Sequence, residues 1–215
     1  MLRRWGQVRA RYRDLGFGAR SYSFIRWSIS PFDRVLPHVP ERGRLLDIGC
    51  GSGLWLTYLS IERPDLRLVG IDPDPRKLAI AQSADVPHLD LHRRSAFDLP
   101  EGEFDCITIF DVLYLLRADE KRGVLRACLA GLRPGGSLIV KELDVRPRWK
   151  FWPAAAEEFA AVFILRLTEG DRLHFQSVED LAADFAHAGL VEVESARVDR
   201  GYAHPHVMVR GGRER

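Results

Sequence analysis

The sequence predicts an α/β fold in which helices cover both faces of a mostly parallel β-sheet. Two observations support this prediction. Short apolar runs rich in β-branched residues alternate with segments of helical periodicity, and glycine and proline stand at the breaks between them. The length of 215 residues suits one domain with a sizeable core, and the composition is that of an ordinary globular protein.

The alternation runs from residue 44 to residue 143. Pro75 suits the first turn of a helix, and Asp119 and Glu120 suit the first turn of another. In chain order the predicted strands are RLLDIG (44–49), LRLVGID (66–72), HLDLHR (88–93), FDCITIF (104–110) and SLIVKEL (137–143). The predicted helices are LWLTYLSIER (54–63), PRKLAIAQSA (75–84) and ADEKRGVLRACLAGL (118–132), the last ending before RPGG.

The pattern changes after residue 144. PAAAEEFAAVFILRL (153–167) has helical spacing and is apolar on most sides. In SVEDLAADFAHAG (177–189), Ser177 is a typical N-cap with Asp180 three positions on, and Gly189 follows the predicted end. LVEVESARV (190–198) and AHPHVMVR (203–210) then predict two strands joined by a short turn.

Positive charge is concentrated at the start of the chain. Residues 1–44 contain ten arginines and three acids, a balance of +7, whereas the whole chain has +2, which leaves −5 for the remainder. Such an arm suggests an anionic partner, for instance a phosphate-bearing substrate or a membrane surface. The alternative is a solvated arginine-rich face.

The three cysteines predict reduced thiols. Cys50, Cys106 and Cys128 fall in a predicted loop, strand and helix, and their spacing matches no metal site. The first residues lack the apolar core of a signal peptide, and no uncharged apolar run reaches about 18 residues. The expectation is a cytoplasmic protein without a bound metal.

The stretch LLDIGCGSG (45–53) is the densest glycine cluster in the chain. It follows the first predicted strand, at the edge where open parallel sheets bind ligands, and its bare backbone would let a ligand approach closely. Asp72 ends the second strand 19 residues after Gly53, where an acid can accept hydrogen bonds from a ribose diol.

The spacing of this loop excludes two phosphate-binding motifs. A dinucleotide fingerprint needs a third glycine where Ser52 or Leu54 stands, and a Walker loop needs G-K-S/T. Asp47, two residues before the first glycine, is a poor neighbour for pyrophosphate and a good one for an ammonium group. The ligand should therefore carry a ribose and an amino-acid-like end without phosphate.

Four segments resemble the class I S-adenosylmethionine-dependent methyltransferases. The glycine loop resembles their motif I, VGIDPDPRKLAIAQ their ribose-binding segment, FDCITIFDVLYLL their fourth-strand motif, and LRPGGSLIVKE their fifth-strand approach. The resemblance covers much of residues 44–143. It implies a three-layer, Rossmann-like sandwich whose seven-stranded, mostly parallel sheet has an antiparallel last strand. The predicted organisation is a helical arm or lid (1–40) and a methyltransferase domain (41–212) with a substrate-covering insertion at about 145–175.

The resemblance further implies S-adenosylmethionine as cofactor. Where the family often has an aspartate that bonds the adenine amine, this chain has Ser95, and Phe97 or Asp98 is the alternative contact. Asp111 as a plain N-cap and Tyr114 as a core residue are also open alternatives. The implied cofactor residues are Asp47, Gly49, Cys50, Gly51, Gly53, Asp72, Pro73, Ser95, Ala96, Phe97, Asp111 and Tyr114.

The predicted reaction is in-line methyl transfer to a small apolar or amphiphilic acceptor. A base is needed when the acceptor is protonated, and residues near the carboxyl edge could supply it. An apolar pocket built by residues 154–167 and the aromatic side chains of the arm is expected, with ordinary packing of the arm as the alternative. The candidate bases are His204, His206, Glu142 and Asp144, and the candidate substrate contacts are Arg146, Trp149, Trp152 and Tyr22. Lys141 is expected to be a solvated charge at the end of a strand.

Other functions also fit part of the pattern. A domain that binds the cofactor without catalysis, as a sensor or partner subunit, would keep the same glycines and Asp72. Methylation of RNA or protein is allowed by the arginine arm, but FDVLY lacks an asparagine-proline type motif, so nucleic acid is not expected as a partner. A nicotinamide oxidoreductase is disfavoured by the missing third glycine. The expected partner is a small molecule, lipid-like or anionic, with peripheral membrane contact as a further hypothesis.

Overall fold

A seven-stranded sheet forms the centre of the protein. The computed structural model describes residues 2–13, 15–159 and 173–215, without the side chains of residues 2, 3 and 17–22. The strands are β1 (Arg42–Ile48), β2 (Asp65–Asp72), β3 (Leu89–Arg93), β4 (Phe104–Phe110), β5 (Leu132–Leu143), β6 (Val191–Arg197) and β7 (His206–Gly212). Their spatial order is β3-β2-β1-β4-β5-β7-β6, and β7 is antiparallel to both of its neighbours. The predicted fold class is confirmed.

Helices pack on the sheet and precede it. They are α1 (Leu2–Arg11), α2 (Phe17–Ile29), α3 (Phe32–Val35), α4 (Leu54–Glu62), α5 (Pro75–Ser83), α6 (Ala118–Gly131), α7 (Arg148–Phe159) and α8 (Val178–Ala188). Two 3₁₀ turns lie at Leu36–His38 and Leu113–Leu115. Helix α5 begins at the predicted proline. Helix α8 has the predicted caps: the Ser177 hydroxyl accepts the Asp180 N–H, and Gly189 is left-handed.

Three predicted boundaries were wrong. β5 begins at Leu132, so RPGG lies inside the strand, because a register shift opposite Phe104–Cys106 accommodates it as a bulge. β7 begins at His206 because Pro205 has no N–H to give to a ladder. Helix α7 begins five residues earlier than predicted and contains Pro153. The rest of the predicted helix, residues 160–167, lies outside the described residues.

Each face of the sheet has its own apolar core. On one face, Ile139 and Met208 pack in the same cluster as residues of the arm, and on the other, Val140 and Val209 pack in the cluster that contains α6 and α8 residues. Because side chains alternate along a strand, Lys141 lies on the arm face and Glu142 on the opposite face.

Several arm aromatics belong to this first core. Tyr12, Trp27 and Phe32 are at most 7% exposed, and Trp27 and Phe32 contact Tyr58 of α4 ring to ring. For Trp27 and Phe32 the alternative of ordinary packing is confirmed. The division of the chain at residue 40 stays a prediction.

Within the described part of the chain, every helix is too short or too polar to cross a bilayer. The same residues contain no group of three His, Cys, Asp or Glu side chains placed to hold a metal ion. Cys50, Cys106 and Cys128 are free and buried, and they lie in a loop, a strand and a helix as predicted.

The N-cap of α8 provides a test of the helix boundaries. Ser177→Ala removes the hydroxyl that accepts the Asp180 N–H, and we expect a loss of about 1 kcal/mol in the free energy of unfolding. Urea denaturation measures it. Ser83→Ala is the control, because the exposed Ser83 hydroxyl donates to the carbonyl of Ile80 one turn back, and its expected change is within about 0.5 kcal/mol. Equal changes in both variants would contradict the cap.

Candidate active site

The candidate site lies beyond the carboxyl ends of β1 and β4. From β1 the chain continues through α4 to β2, the neighbouring strand toward one edge of the sheet. From β4 it continues through α6 to β5, the neighbouring strand toward the opposite edge. The strand order therefore reverses between β1 and β4, and the loops after them border a crevice of the kind in which open α/β sheets bind ligands. The glycine loop follows β1, and Asp111 follows β4.

The three glycines of this loop have different reasons to be glycine. All are left-handed, with φ of +73° at Gly49, +55° at Gly51 and +76° at Gly53. A Cβ on Gly49 would lie 2.3 Å from Val112 Cγ2, and one on Gly53 would lie 2.9 Å from Ala81 Cβ, but one on Gly51 would meet nothing within 4 Å. The outer two glycines serve the packing of the protein, and Gly51 presents bare backbone to open space.

Asp72 holds the middle of the glycine loop. Its Oδ2 accepts the Gly51 N–H at 2.9 Å, and its Oδ1 accepts the Asp74 N–H at 2.9 Å. Burial raises the pKa of this carboxyl, and the two backbone hydrogen bonds and Lys77 oppose the rise. A carboxylate has about four acceptor positions, so each oxygen retains capacity for another donor.

Asp47 is buried where β1 ends. Only 3% of it is exposed, and Thr108 Oγ1 donates to its Oδ1 at 2.7 Å. Burial raises the pKa of Asp47 to about 7, with the charge of Asp72 adding to the rise and the Thr108 hydrogen bond and Lys141 opposing it. A cationic ligand group beside Asp47 would favour its ionised form.

The arm reaches the glycine loop through Tyr12. Its hydroxyl lies 2.9 Å from the Ser52 carbonyl oxygen and 2.8 Å from Thr57 Oγ1, and the side chain is 2% exposed. Since a carbonyl only accepts, the Tyr12 hydroxyl donates to Ser52 and accepts from Thr57. Sequence reasoning counted Tyr12 only as one of several arm aromatics and missed this bond.

The remaining predicted cofactor residues surround the same edge. The Cys50 N–H donates to the Ile71 carbonyl at 3.0 Å, and its thiol is buried. The Pro73 carbonyl accepts from Arg93 Nε at 3.2 Å, and Ser95 Oγ accepts the Phe97 N–H at 3.3 Å. Ala96 is half-buried, whereas Phe97 is 55% exposed. Their contacts with a cofactor stay predictions.

A buried cluster of charges lies on the arm face beyond β4 and β5. Asp111 Oδ2 pairs with Lys141 Nζ and with Arg26 Nη2 of α2, the latter at 3.0 Å. Arg26 Nη1 also pairs with Glu158 of α7 at 2.9 Å, and the Tyr114 hydroxyl donates to Glu158 at 2.7 Å. Although burial opposes ionisation, Lys141 and Arg26 hold the pKa of Asp111 well below its usual range.

Two expectations about this cluster are revised. Lys141 has no exposed side-chain surface, so the prediction of a solvated strand-end charge was wrong. Asp111 does not cap the 3₁₀ turn that follows it, because Val112 holds the N-cap position. Tyr114 is 3% exposed. Asp111 itself has a φ of +57°, a left-handed conformation that aspartate tolerates better than most residues.

The two candidate histidines have different partners. His204 Nε2 lies 3.1 Å from Glu157 Oε2, whereas His206 Nε2 lies 3.0 Å from the Ile29 carbonyl oxygen of α2. His206 Nδ1 faces Asp111 Oδ1 at 4.0 Å. The ring centres of the two histidines are 5.7 Å apart. The structure thus joins His206, and not His204, to the charge cluster.

The candidate acids lie apart from that pair. Glu142 Oε1 accepts the N–H groups of Val112 and Leu113 at 3.0 and 2.8 Å, and burial raises its pKa. Glu142 also lines a small cavity next to Lys121 and His174. Asp144 Oδ2 accepts from Arg197 Nη1 at 2.9 Å. Both acids fix neighbouring backbone or side chains, and their catalytic role stays a prediction.

Three of the four predicted substrate contacts lie on α7 or just before it. Arg146 is exposed and pairs with Glu179 at 2.7 Å. Trp149 and Trp152 are 73% and 65% exposed. Tyr22 belongs to α2, but its side chain lies outside the described residues. Substrate contact by these residues stays a prediction.

Sequence reasoning missed four residues of the site: Tyr12, Arg26, Thr108 and Lys141. Strand alternation was a usable signal for two of them. Lys141 lies two positions after Ile139, and Thr108 lies two positions after Cys106, so both share the face on which these core residues pack. For Tyr12, which follows α1, and for Arg26, which belongs to α2, the sequence carried no comparable signal.

Comparison with known proteins gives matches over most of the chain. A family model described as a methyltransferase domain matches residues 21–195. The chain is 31% identical over 165 residues to the ubiquinone biosynthesis O-methyltransferase of Methylocella silvestris, covering 74% of this chain and 62% of that one. It is 33% identical over 145 residues to the demethylmenaquinone methyltransferase of Thermus thermophilus, covering 65% of this chain and 62% of that one. The match therefore spans about three fifths of the length of each relative.

A solved structure shows the same fold. The S-adenosylmethionine-dependent methyltransferase SibL, in its apo form, superposes with a TM-score of 0.72 at 21% identity, covering 92% of this chain and 58% of that one. At this identity the likeness speaks for the fold alone.

The glycine loop provides a test by two matched alanine variants. Gly51→Ala should cost about 1–2 kcal/mol of stability, because a left-handed alanine is strained although its Cβ has room. Gly49→Ala carries the same strain and also a Cβ against Val112, which adds roughly 1–3 kcal/mol of overpacking. Thermal and urea unfolding measure both. A Gly51→Ala variant less stable than Gly49→Ala would contradict this division of roles.

Proposed function

Because the chain belongs to the methyltransferase domain family, we propose that it transfers the methyl group of S-adenosylmethionine to a small apolar acceptor. The observation that carries the proposal is the edge made by Asp47, Gly51 and Asp72. Gly51 presents open backbone, and two buried carboxyls flank it on neighbouring strands. The curated relatives extend beyond the matched segment.

The residues at this edge fit the cofactor. Asp47 would face its ammonium group, since its carboxyl is buried with one hydroxyl partner and a raised pKa. Asp72 would accept the ribose hydroxyls with the acceptor positions that its backbone bonds leave over. Gly51 would lie against the ligand without a side chain between them. When bound, S-adenosylmethionine supplies an activated methyl group on a positively charged sulfur.

The task of the protein is then mainly to align the acceptor. Bringing a nucleophile in line with an activated carbon can account for much of the rate enhancement. The names of the two relatives refer to ubiquinone biosynthesis and to demethylmenaquinone, and this favours a small apolar acceptor for the present chain. The exposed Trp149 and Trp152 on α7 would suit such a molecule.

A direct experiment separates an enzyme from a non-catalytic cofactor-binding domain. Calorimetry with S-adenosylmethionine measures binding, and release of S-adenosylhomocysteine in the presence of apolar acceptors measures turnover. We expect both. Binding without product release over a broad set of acceptors would favour the sensor alternative, and absence of binding would overturn both functions.

Asp72 provides the test of the ribose contact. Asp72→Ala should weaken binding of S-adenosylhomocysteine by roughly 1–3 kcal/mol, because charge-assisted hydrogen bonds are lost and Gly51 is no longer held. Asp65→Ala, at the exposed opposite end of β2, is the control and should bind like the unchanged protein. Unchanged affinity in Asp72→Ala would mean that the ribose lies elsewhere.

Asp47 predicts how cofactor affinity depends on pH. Its carboxyl has a pKa of about 7, so below that pH it is protonated and loses its attraction for an ammonium group. Affinity for S-adenosylhomocysteine should therefore rise with pH up to about 7. It should fall again only where the α-amino group of the ligand deprotonates, above the pKa of about 8 of a peptide N-terminus, because the carboxylate of the ligand favours the ammonium form. Titration calorimetry from pH 5.5 to 9 measures this dependence.

The matched variant for this dependence is Asp47→Asn. An amide does not titrate, so its affinity should be weaker and should lack the rise on the acid side. If Asp47→Asn shows the same rise as the unchanged protein, another group is responsible and Asp47 does not face the ammonium group.

A further inference from the structure

Two buried hydrogen-bond acceptors face one another beside the candidate site. His206 Nδ1 and Asp111 Oδ1 lie 4.0 Å apart, and their side chains are 3% and 5% exposed. Neither atom has a hydrogen-bond partner among the described residues. Buried polar atoms are rarely left in this way, since each costs free energy comparable to a lost hydrogen bond.

The partner of the other ring nitrogen decides which atom of His206 carries hydrogen. His206 Nε2 lies 3.0 Å from the Ile29 carbonyl oxygen, which can only accept. The hydrogen therefore sits on Nε2, and Nδ1 of the neutral ring has a free lone pair. Burial lowers the pKa of His206 well below its usual value, Lys141, His204 and Arg26 add to this effect, and Asp111 opposes it.

The two carboxylate oxygens of Asp111 differ in their partners. Oδ2 is occupied by Lys141 Nζ and Arg26 Nη2, and these two cations keep the carboxylate ionised. Oδ1 is left to face His206. The pair is thus two acceptors side by side, and the group that satisfies it must be a donor.

The reaction restricts that donor further. Lys141 and Arg26 both contact Asp111, and Arg26 also pairs with Glu158, so the two cations are matched by two carboxyl groups. An ammonium group has no lone pair with which to attack the methyl carbon, and a thiolate or a neutral amine has no need of a base. A neutral hydroxyl fits, because it has a proton to give and becomes a better nucleophile as it gives it.

We propose that the hydroxyl group of the acceptor donates to His206 Nδ1, with His206 as the general base and Asp111 Oδ1 placed to stabilise the imidazolium that forms, so that the protein methylates oxygen. This inference rests on the proposed methyl transfer and names its acceptor atom. The Ile29 carbonyl is the positioning group, because it holds the ring in the tautomer that leaves Nδ1 free.

The hydroxyl oxygen forms its bond to the methyl carbon while the carbon–sulfur electron pair leaves with sulfur, and the hydroxyl proton passes to His206 Nδ1. The positive charge of the sulfonium ends on the imidazolium, next to the Asp111 carboxylate. Although an isolated His206 is a weak base, the oxygen becomes strongly acidic as its bond to carbon forms, so the proton transfer is downhill at that moment.

The test uses the full chain and three methyl acceptors of the same shape that differ in the acceptor atom. Transfer of tritiated methyl from S-adenosylmethionine is measured to phenol, aniline and thiophenol, and we expect the phenol ether as the product. His206→Gln keeps an amide donor for the Ile29 carbonyl and removes the Nδ1 lone pair. Its kcat for phenol should fall at least about 100-fold, the scale of a lost general base, while affinity for S-adenosylhomocysteine stays within about threefold.

The matched control is His187→Gln on the exposed surface of α8, which should keep the activity of the unchanged protein. A readout apart from turnover is nitrogen NMR of the His206 ring in the complex with S-adenosylhomocysteine. The Nδ1 signal should be that of an unprotonated nitrogen and should shift when phenol is added, with no such shift in aniline or thiophenol.

The outcomes separate this inference from the proposed function. Methyl transfer to aniline or thiophenol in preference to phenol, or unchanged kcat in His206→Gln, would overturn the hydroxyl site and leave the methyltransferase function intact. A protonated Nδ1, or no shift with saturating phenol, would overturn it as well. A phenol-dependent shift without transfer to any probe would support the hydroxyl site and count against the proposed function.

Discussion

A lysine with no solvent-exposed surface requires an anion in contact with it, and Lys141 meets that requirement through Asp111. The pair joins β5 to the turn after β4 on the arm face of the sheet. Arg26 then adds α2 to the same carboxylate and reaches Glu158 on α7. Removing one member of such a buried group leaves an uncompensated charge, at a cost of roughly 3–5 kcal/mol. The arm, the sheet and α7 are therefore held in one arrangement by shared charges.

The alternation of strand side chains decides which polar residues can act together. Asp47 on β1, Thr108 on β4, Lys141 on β5 and His206 on β7 all lie on the arm face of four neighbouring strands. Glu142, one position from Lys141, points to the other face and binds backbone N–H groups there. The same alternation that builds two separate cores thus collects one polar row along the carboxyl edge.

The fold was more predictable from the sequence than the site. Periodicity and caps placed β4 at residues 104–110 and the caps of α8 correctly, because both signals are local. The bulge inside β5 was missed because it depends on pairing with β4. For the site, the glycine spacing and Asp72 are local signals as well. Arg26 and Tyr12 acquire their surroundings only through contacts between distant segments, so neither their burial nor their partners could be predicted. For Lys141, strand alternation indicates the face of the sheet but not the partner on that face.

The N-terminal arm contacts both the glycine loop and the candidate base His206. Tyr12 of the region that follows α1 holds the Ser52 carbonyl of the glycine loop, and Ile29 at the end of α2 holds the ring of His206. Both contacts form only when the arm is packed in place. A ligand at the glycine loop and a ligand at His206 would therefore act on the same arm. A ligand that orders the arm at one of these places lowers the entropic cost of ordering it at the other. The effect of each ligand on the binding free energy of the other must be equal.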